Sequence, residues 1–293
     1  MGQGNLGQLD DEEEDWRDLT PPPEPAVAAC DISRVHFAFD SAALDDAARQ
    51  ALRDAAVAGL VGAFMVGKRI GFGRESFAPH SLTLTISGAA LLWFGWFGFN
   101  AGSELAADGV ASLAFINTLT APVGAMLSWS LYEKLKHKKA TSIGAGTGAI
   151  AGAVAITPSC AFLTPMWALL LGLIVGVICA IAIELKYVLG FDDSLDVVGV
   201  HLVAGLIGTL YIGLFGNNVG LFFGFGFDQL AKQALGCAVV ALFAFVASFA
   251  IAWAIEKTIG FRVTSTDEIA GVDLVQHGEV GYAGTDPRWT WRG

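Results

Sequence analysis

From about residue 55 to residue 258 the chain is written in apolar and small residues, broken at intervals by short polar segments. Six apolar runs stand out, at about 82–102, 108–132, 140–158, 163–185, 195–215 and 228–256. Each approaches or exceeds the roughly 20 residues a helix needs to cross the hydrocarbon of a bilayer. A further apolar piece, 55–67, is too short to cross by itself. The pattern predicts an all-α polytopic membrane protein with about six transmembrane helices over 55–258. Upstream the text differs. Residues 1–33 are acidic (10-DDEEED-15) and then rich in proline (Pro21, Pro22, Pro23, Pro25), a composition that cannot bury a core and predicts disorder. Residues 34–54 alternate as a strand over Val35-His36-Phe37-Ala38-Phe39 and continue as helical text, 44-LDDAARQALRD-54. A polar tail occupies 259–293.

Charge refines this picture. The chain is 54% hydrophobic and 15% charged, where ordinary soluble domains carry about a quarter charged residues. The connecting segments alternate in character. Lys68, Arg69 and Arg74 lie in 68–81; Lys134, Lys136, Lys138 and Lys139 in 133–139; Lys186 in 186–194; and the tail starts with Lys257. The opposite set, 103–107, 159–162 and 216–227, contains no Lys or Arg. By the positive-inside rule the first set and the C-terminus are expected in the cytoplasm, in an inner (plasma) membrane. Residues 1–25 lack the basic start and apolar stretch of a secretory signal. The net charge of −11 gathers in the N-terminal acidic run and around Asp267, Glu268, Asp273 and Glu279, which argues against nucleic acid as a partner. The cysteines are widely spaced, and Cys160, Cys179 and Cys237 lie in or beside apolar runs without metal-ligand spacing, so they read as packing residues. No cofactor and no enzymatic chemistry are expected.

A few polar residues inside the apolar text are candidates for function. His201 sits in 199-GVHLVAGLIGTL-210. An ionisable residue at membrane depth is costly unless it faces a pore or a partner, and a neutral imidazole both donates and accepts hydrogen bonds. A pore role competes with a packing histidine bonded to a backbone carbonyl. The run 91-LLWFGWFGFNAGS-103 sets Trp93, Phe94, Trp96, Phe97 and Phe99 among glycines and ends in Asn100 and Ser103. Aromatic faces attract cations, although by itself the run reads more readily as an interfacial aromatic belt. Gly144, Gly146, Gly148 and Gly152 imitate a dinucleotide loop, but no strand precedes them and no Gly-Lys follows; glycines four apart on an apolar helix predict close helix contact. Asp192, Asp193 and Asp196 precede the His201 helix and read as caps meeting its positive dipole end. His36, His80, His137 and His277 read as surface residues.

Taken together and in order, GKRIGFGRESFAPHSL (67–82), GWFGFNAGS (95–103), NTLTAPVGAMLSW (117–129), GAGTGAIAGAVAITPSC (144–160), DDSLDVVGVH (192–201) and DEIAGVDLVQHGE (267–279) resemble the Amt/Rh ammonium transporter family, over about residues 55–282. The resemblance implies an eleven-helix subunit in a homotrimer, with one pore per subunit for ammonium or ammonia. It implies that His201 is the second of two stacked pore histidines and Phe99 one of two outer gate aromatics. Ser103 matches the recruitment-site serine, Trp96 and Val197 match pore-lining positions, and Asp196 matches the structural aspartate before the histidine. Asn100 and Thr157 fall at structural positions beside the pore. The tail 259–282 resembles the cytoplasmic docking region for PII signalling proteins.

The resemblance also has gaps. The five spans the family carries before Gly67 are matched only by the end of the fifth, and Leu52 stands where the first pore histidine would be. In their place VHFAFDSAALDDAARQAL (35–52) resembles the opening strand and helix of an OmpA-like peptidoglycan-associated domain, giving a partial stub over 34–54. The two texts meet at Asp54-Ala55-Ala56, and a chimeric frame is expected there. A chain with one half of the pore is expected to conduct poorly by itself. The alternatives are a non-conducting fragment that retains PII docking, and a peptidoglycan-binding envelope protein.

Overall fold

The computed structural model describes residues 46–279, with side chains from Ala56 onward. The strand expected at 35–39 and the acidic, proline-rich segment lie outside the described residues. So does most of the OmpA-like stretch; only its helical end is seen, and only as backbone. That end, from Asp46, runs without a break into the apolar piece, so 46–54 and 55–66 form one helix, α1 (Asp46–Val66). No interruption is needed because 46–66 contains neither proline nor a glycine pair, and alanine, the best helix former, recurs through it.

Six long helices follow: α2 (Leu82–Ala101), α3 (Gly109–His137), α4 (Ser142–Ile156), α5 (Pro165–Leu189), α6 (Val203–Phe215) and α7 (Asp228–Thr258). A short α8 (Ser265–Ala270) lies in the tail. No strand occurs among the described residues. Their starts are fixed by local chemistry. The Ser81 hydroxyl accepts from Leu84 N, the Asp108 carboxylate from Val110 N and Ala111 N at 2.9 and 3.0 Å, and the Thr141 hydroxyl from Gly144 N at 2.9 Å, each satisfying amides that a helix leaves open. α5 ends where Gly190 takes a left-handed φ of 74° and returns its N–H to the Lys186 carbonyl.

Five of the six expected spans are long and apolar enough to cross a membrane: Leu82–Glu104, Gly109–His137, Pro165–Leu189, Val197–Phe215 and Asp228–Thr258. The protein is a multi-pass membrane protein. The sixth, at 140–158, becomes the 15-residue α4, about 22 Å long at 1.5 Å per residue, continued by a 3₁₀ turn at Thr157–Ser159. It is the most enclosed helix, with every residue from Gly148 to Ile156 buried.

The closest packing in the bundle is that of α3 against α4 on one side and α5 on the other. The contacts are backbone to backbone. A Cβ on Gly172 would lie 2.1 Å from the Ala121 carbonyl oxygen, and one on Gly176 2.3 Å from that of Ala125. On the other side, one on Gly152 would lie 2.6 Å from the Cα of Pro122, and one on Gly148 2.9 Å from the Ala125 oxygen. Glycines four apart thus form a groove on α4 and another on α5, and α3 fills both. That is how helices associate in lipid, where no hydrophobic force separates protein from solvent. It also answers the glycine pattern at 144–152: Gly144, Gly148 and Gly152 are contact glycines, while Gly146 has ordinary room. Leu171, Val175, Cys179, Val154 and Ile156 complete the core. By contrast α2 and α7 keep most of their apolar surface outward, including Leu84, Leu91, Phe94, Leu242, Phe243 and Ile251. That surface suits a lipid bilayer.

Candidate functional site

The segment before α6 is the least regular part of the membrane region. Asp196 adopts a left-handed backbone (φ 56°), and Val197–Leu202 then forms a π-helical turn that includes His201 before α6 begins. Left-handed backbone is uncommon outside glycine, with Asp and Asn the tolerant exceptions. π-turns concentrate at functional sites. Three aspartates hold this irregularity, and they do not share one task. Asp193 alone caps the helix, accepting from Val197 N at 3.0 Å and Val198 N at 2.8 Å. Asp192 turns away to Arg69, accepting from its Nε and Nη2, both at 2.8 Å, and from its backbone N at 2.9 Å. Asp196 pairs with Lys186, whose Nζ lies 2.5 Å from Oδ1 and 3.0 Å from the Asp193 carbonyl oxygen. The expectation that all three cap the helix is therefore corrected. Two of them face cations that the sequence presents only as loop charges.

These pairs shift the acids differently. The Arg69 guanidinium holds the Asp192 carboxyl below its ordinary value. Burial pushes the Asp196 carboxyl up, and the Lys186 ammonium opposes that push. For Asp192 the sign is definite. A depressed folded value means the pair contributes fully above the unfolded carboxyl's pKa, about 3.9, and is lost as pH falls through the lower folded value. Thermal melts of the protein and of Asp192→Asn are therefore expected to differ most above pH 5 and to converge only once the pH has fallen below about 3.9 and on through the lower folded value; a gap independent of pH would show that the ion pair adds nothing.

His201 borders a recess of about 160 Å³ together with Thr85, Ile86 and Ala89 of α2 and Ile143, Gly146, Thr147 and Ile150 of α4. It is half-buried. Above the recess α2 and α4 continue side by side and meet again where Trp96 Nε1 donates to Thr157 Oγ1 at 2.7 Å. Trp96 is buried, and its ring meets that of Phe99 edge-on with centroids 5.8 Å apart. Phe99 is 40% exposed. One turn further, Ser103 donates its hydroxyl to the Phe99 carbonyl oxygen at 2.5 Å, leaving its lone pairs free to accept. Thr85, Ala89, Trp96 and Phe99 recur at helical spacing on one face of α2, and Ser103 continues that row in the 3₁₀ turn Gly102–Glu104 that follows. The stripe climbs about 27 Å from Thr85 to Ser103 at 1.5 Å per residue, close to the roughly 30 Å of a bilayer's hydrocarbon.

The structure thus joins Trp96, Phe99, Ser103 and Thr157, and sets His201 at the foot of the same stripe. Two expected residues stand apart. Val197 points to α1, where its Cγ1 would meet a Cβ on Gly59 at 3.1 Å, and it borders a second, larger recess of about 380 Å³ with Gly62, Ala63, Arg69 and Asp192. Leu195 borders both recesses. Asn100 is turned away from the stripe and donates from Nδ2 to Thr118 Oγ1 at 2.9 Å, fastening α2 to α3. Thr85, Ala89 and Thr147 were not singled out by sequence, although the periodicity that places Trp96, Phe99 and Ser103 on one face includes Thr85 and Ala89. No group of three or more potential metal ligands occurs among the described residues.

The family model described as the Ammonium Transporter Family matches residues 53–282. The chain is 47% identical over 241 residues to a Mycobacterium tuberculosis protein named Ammonium transporter, covering 78% of this chain and 50% of that one. It is 42% identical over 234 residues to a Bacillus subtilis protein of the same name, covering 77% and 57%. Among solved structures, one titled Sensor Amt Protein superposes with a TM-score of 0.71 at 30% identity, over 79% of this chain and 59% of the other. Candida albicans Mep2 superposes with a TM-score of 0.70 at 29% identity, over 80% and 56%. The chain spans about half the length of the curated relatives it matches. The match begins at 53, so the OmpA-like resemblance of 35–52 gains no support from it.

Proposed function

Because the chain belongs to the ammonium transporter family, we propose that residues 55–282 form one wall of a pathway conducting ammonium or ammonia across a membrane. The observation that carries this reading is the α2 stripe: a hydroxyl and an aromatic pair at one end, a half-buried imidazole beside a small recess at the other. Ammonium loses hydration to enter an apolar passage. Cation–π attraction from Phe99 and Trp96 and an accepted hydrogen bond at Ser103 offset that loss at the mouth. Ammonia, being neutral, tolerates an apolar wall with few polar groups, and His201 supplies a hydrogen bond partway. Val197 lines the wall on the α1 side. Asp196, Asn100 and Thr157 act through shape: Asp196 sets the entry to the π-turn, Thr157 fixes the Trp96 indole, and Asn100 keeps α2 against α3.

The same reading places the lysine- and arginine-bearing segments and the C-terminal tail in the cytoplasm, in an inner (plasma) membrane, with the chain as part of a homotrimer. The tail folds back on the loop after α1, where Glu268 accepts from Ile70 N at 2.8 Å and Arg262 donates to the Val66 carbonyl oxygen at 3.3 Å. This ordered surface is the part offered to a PII signalling protein.

The test is a graft. Residues 55–282 replace the matching segment of the Bacillus subtilis relative in cells without another ammonium transporter, and methylammonium uptake is measured. Uptake is expected with the graft and is expected to fall about tenfold with His201→Leu, the worth of one net hydrogen bond. A graft that is made and inserted but silent, or one indifferent to His201→Leu, would refute the reading.

A further inference from the structure

Asn117, Thr118 and Pro122 lie within two turns of one another on α3 and are fully buried. None of them borders either recess. Asn117 donates from Nδ2 to two carbonyl oxygens, those of Cys160 and Leu163, both at 2.7 Å. Its own Oδ1 has no hydrogen bond among the described residues, so the side chain acts wholly as a donor. The two carbonyls belong to the turn between α4 and α5. That turn begins with Thr157, the acceptor of the Trp96 indole.

Thr118 does for α2 what Asn117 does for the turn. Adjacent positions on a helix point about 100° apart, so neighbours in sequence reach different elements. Thr118 Oγ1 accepts from Asn100 Nδ2 at 2.9 Å and donates to the Ala114 carbonyl oxygen at 2.6 Å. Its backbone carbonyl is open for another reason. Pro122 has no N–H, so the oxygen four residues back loses its helical donor, and the proline ring crowds that oxygen out of the ladder. Trp93 Nε1 takes the place of the missing donor, at 3.1 Å from Thr118 O. Trp93, Trp96 and Asn100 all belong to α2. Asn117 thus fixes the acceptor of the Trp96–Thr157 hydrogen bond and Thr118 fixes its donor.

We propose that Asn117 and Thr118 are positioning residues for the Trp96–Phe99 aromatic pair, and that Pro122 frees the Thr118 carbonyl to receive Trp93. They touch no solute. They act through the Trp96–Thr157 contact, which sets the ring that Phe99 meets edge-on. Asn100, Trp96, Asn117, Thr118, Pro122 and Thr157 are all buried within one chain, so the brace does not depend on what covers the outside of the bundle. Its bearing on conduction rests on the pathway proposed above.

The test uses the 293-residue chain in detergent with isotope-labelled tryptophan, and follows hydrogen exchange of single indole N–H groups by NMR. Each resonance is assigned by its loss in the matching Trp→Phe variant. Thr157→Val sets the reference: the Trp96 N–H is expected to exchange about tenfold faster, the worth of one net hydrogen bond. Asn117→Ala is expected to accelerate the same proton to the same degree, and to add nothing in a Thr157→Val background. Thr118→Val keeps the shape but removes the oxygen that accepts from Asn100, and is expected to accelerate it too; Thr118→Ser keeps that oxygen and is expected to keep the rate. Pro122→Ala returns an N–H to the Thr118 carbonyl, and is expected to speed exchange at Trp93 although alanine favours the helix. Trp129, buried on the same helix and bonded to Glu133, is the control for an intact fold. Thr118→Val and Pro122→Ala keep the test open should Asn117→Ala not fold. The proposal is overturned by a Trp96 rate indifferent to Asn117→Ala and Thr118→Val, by effects of Asn117→Ala and Thr157→Val that add, by Trp129 accelerating as much as Trp96, or by Trp93 ignoring Pro122→Ala. No uptake is measured, so a failed brace and a silent graft are separate results.

Discussion

A valine at position 172 is expected to keep the bundle from reaching its native stability, with a loss of at least about 3 kcal/mol. The reason is the absence of any space for a side chain between α3 and α5. A Cβ at 172 would lie 2.1 Å from the Ala121 carbonyl oxygen and 3.0 Å from its Cα. Those atoms are backbone, and no rotamer change relieves the clash; the two helices have to separate. Separation would then open the contacts one turn along, where Gly176 meets Ala125 and Ser128, and would loosen the groove in which Leu171 and Val175 are fully buried. Over-packing in a core costs about 1–3 kcal/mol when side chains can adjust, and more when they cannot. The control is Gly98→Ala on α2, where an added Cβ meets nothing within 4 Å and alanine favours the helix. Thermal melting in detergent is expected to show Gly98→Ala unchanged or slightly raised and Gly172→Val strongly lowered or aggregated. Equal melting temperatures would mean that the close approach of α3 and α5 is not part of the folded protein.

The same close packing explains how much could be read from sequence. Apolar run lengths located every long helix after α1, because the hydrocarbon imposes a length that text can reveal. Glycines four apart at 144–152 announced a close contact for the same reason: only backbone proximity rewards them. Run length does not say which helix is wrapped by the others, and nothing in the 140–158 run marks α4 as the most enclosed of them. Where the two texts meet at Asp54-Ala55 the helix runs on unbroken, because helix propensity is continuous across it even where hydropathy is not. Around His201 the residues were legible and their partners were not. Asp192 finds Arg69 from 123 positions away, and neither the π-turn nor the left-handed Asp196 has a sequence signature. Lys186 is the clearest case. In the sequence it is one loop cation among several, useful for orientation; in the structure it is a nearly buried ammonium under the His201 segment.

That placement makes Lys186→Met the other change with a large expected effect. Methionine matches the length and apolar stem of lysine, so packing along α5 is kept while the charge is removed. Left behind are the Asp196 carboxylate and the Asp193 carbonyl oxygen, both deprived of a donor. Breaking a buried pair by deleting one partner costs about 3–5 kcal/mol. The Lys186 side chain is 11% exposed and that of Asp196 30%, so partial hydration lowers the expected loss to about 2–3 kcal/mol. The partner change is Asp196→Asn. Asparagine tolerates the left-handed backbone that Asp196 adopts at φ 56°, so this substitution removes charge without straining the entry to the π-turn. The two changes together are expected to cost clearly less than the sum of each alone, with a coupling of about 1–3 kcal/mol, because the double variant leaves no unmatched charge. Melting temperatures of the four proteins in one detergent measure that coupling. Strict additivity would mean that the ammonium and the carboxylate do not sense each other, and that the geometry presenting His201 to its recess is held by Asp193 and the backbone alone.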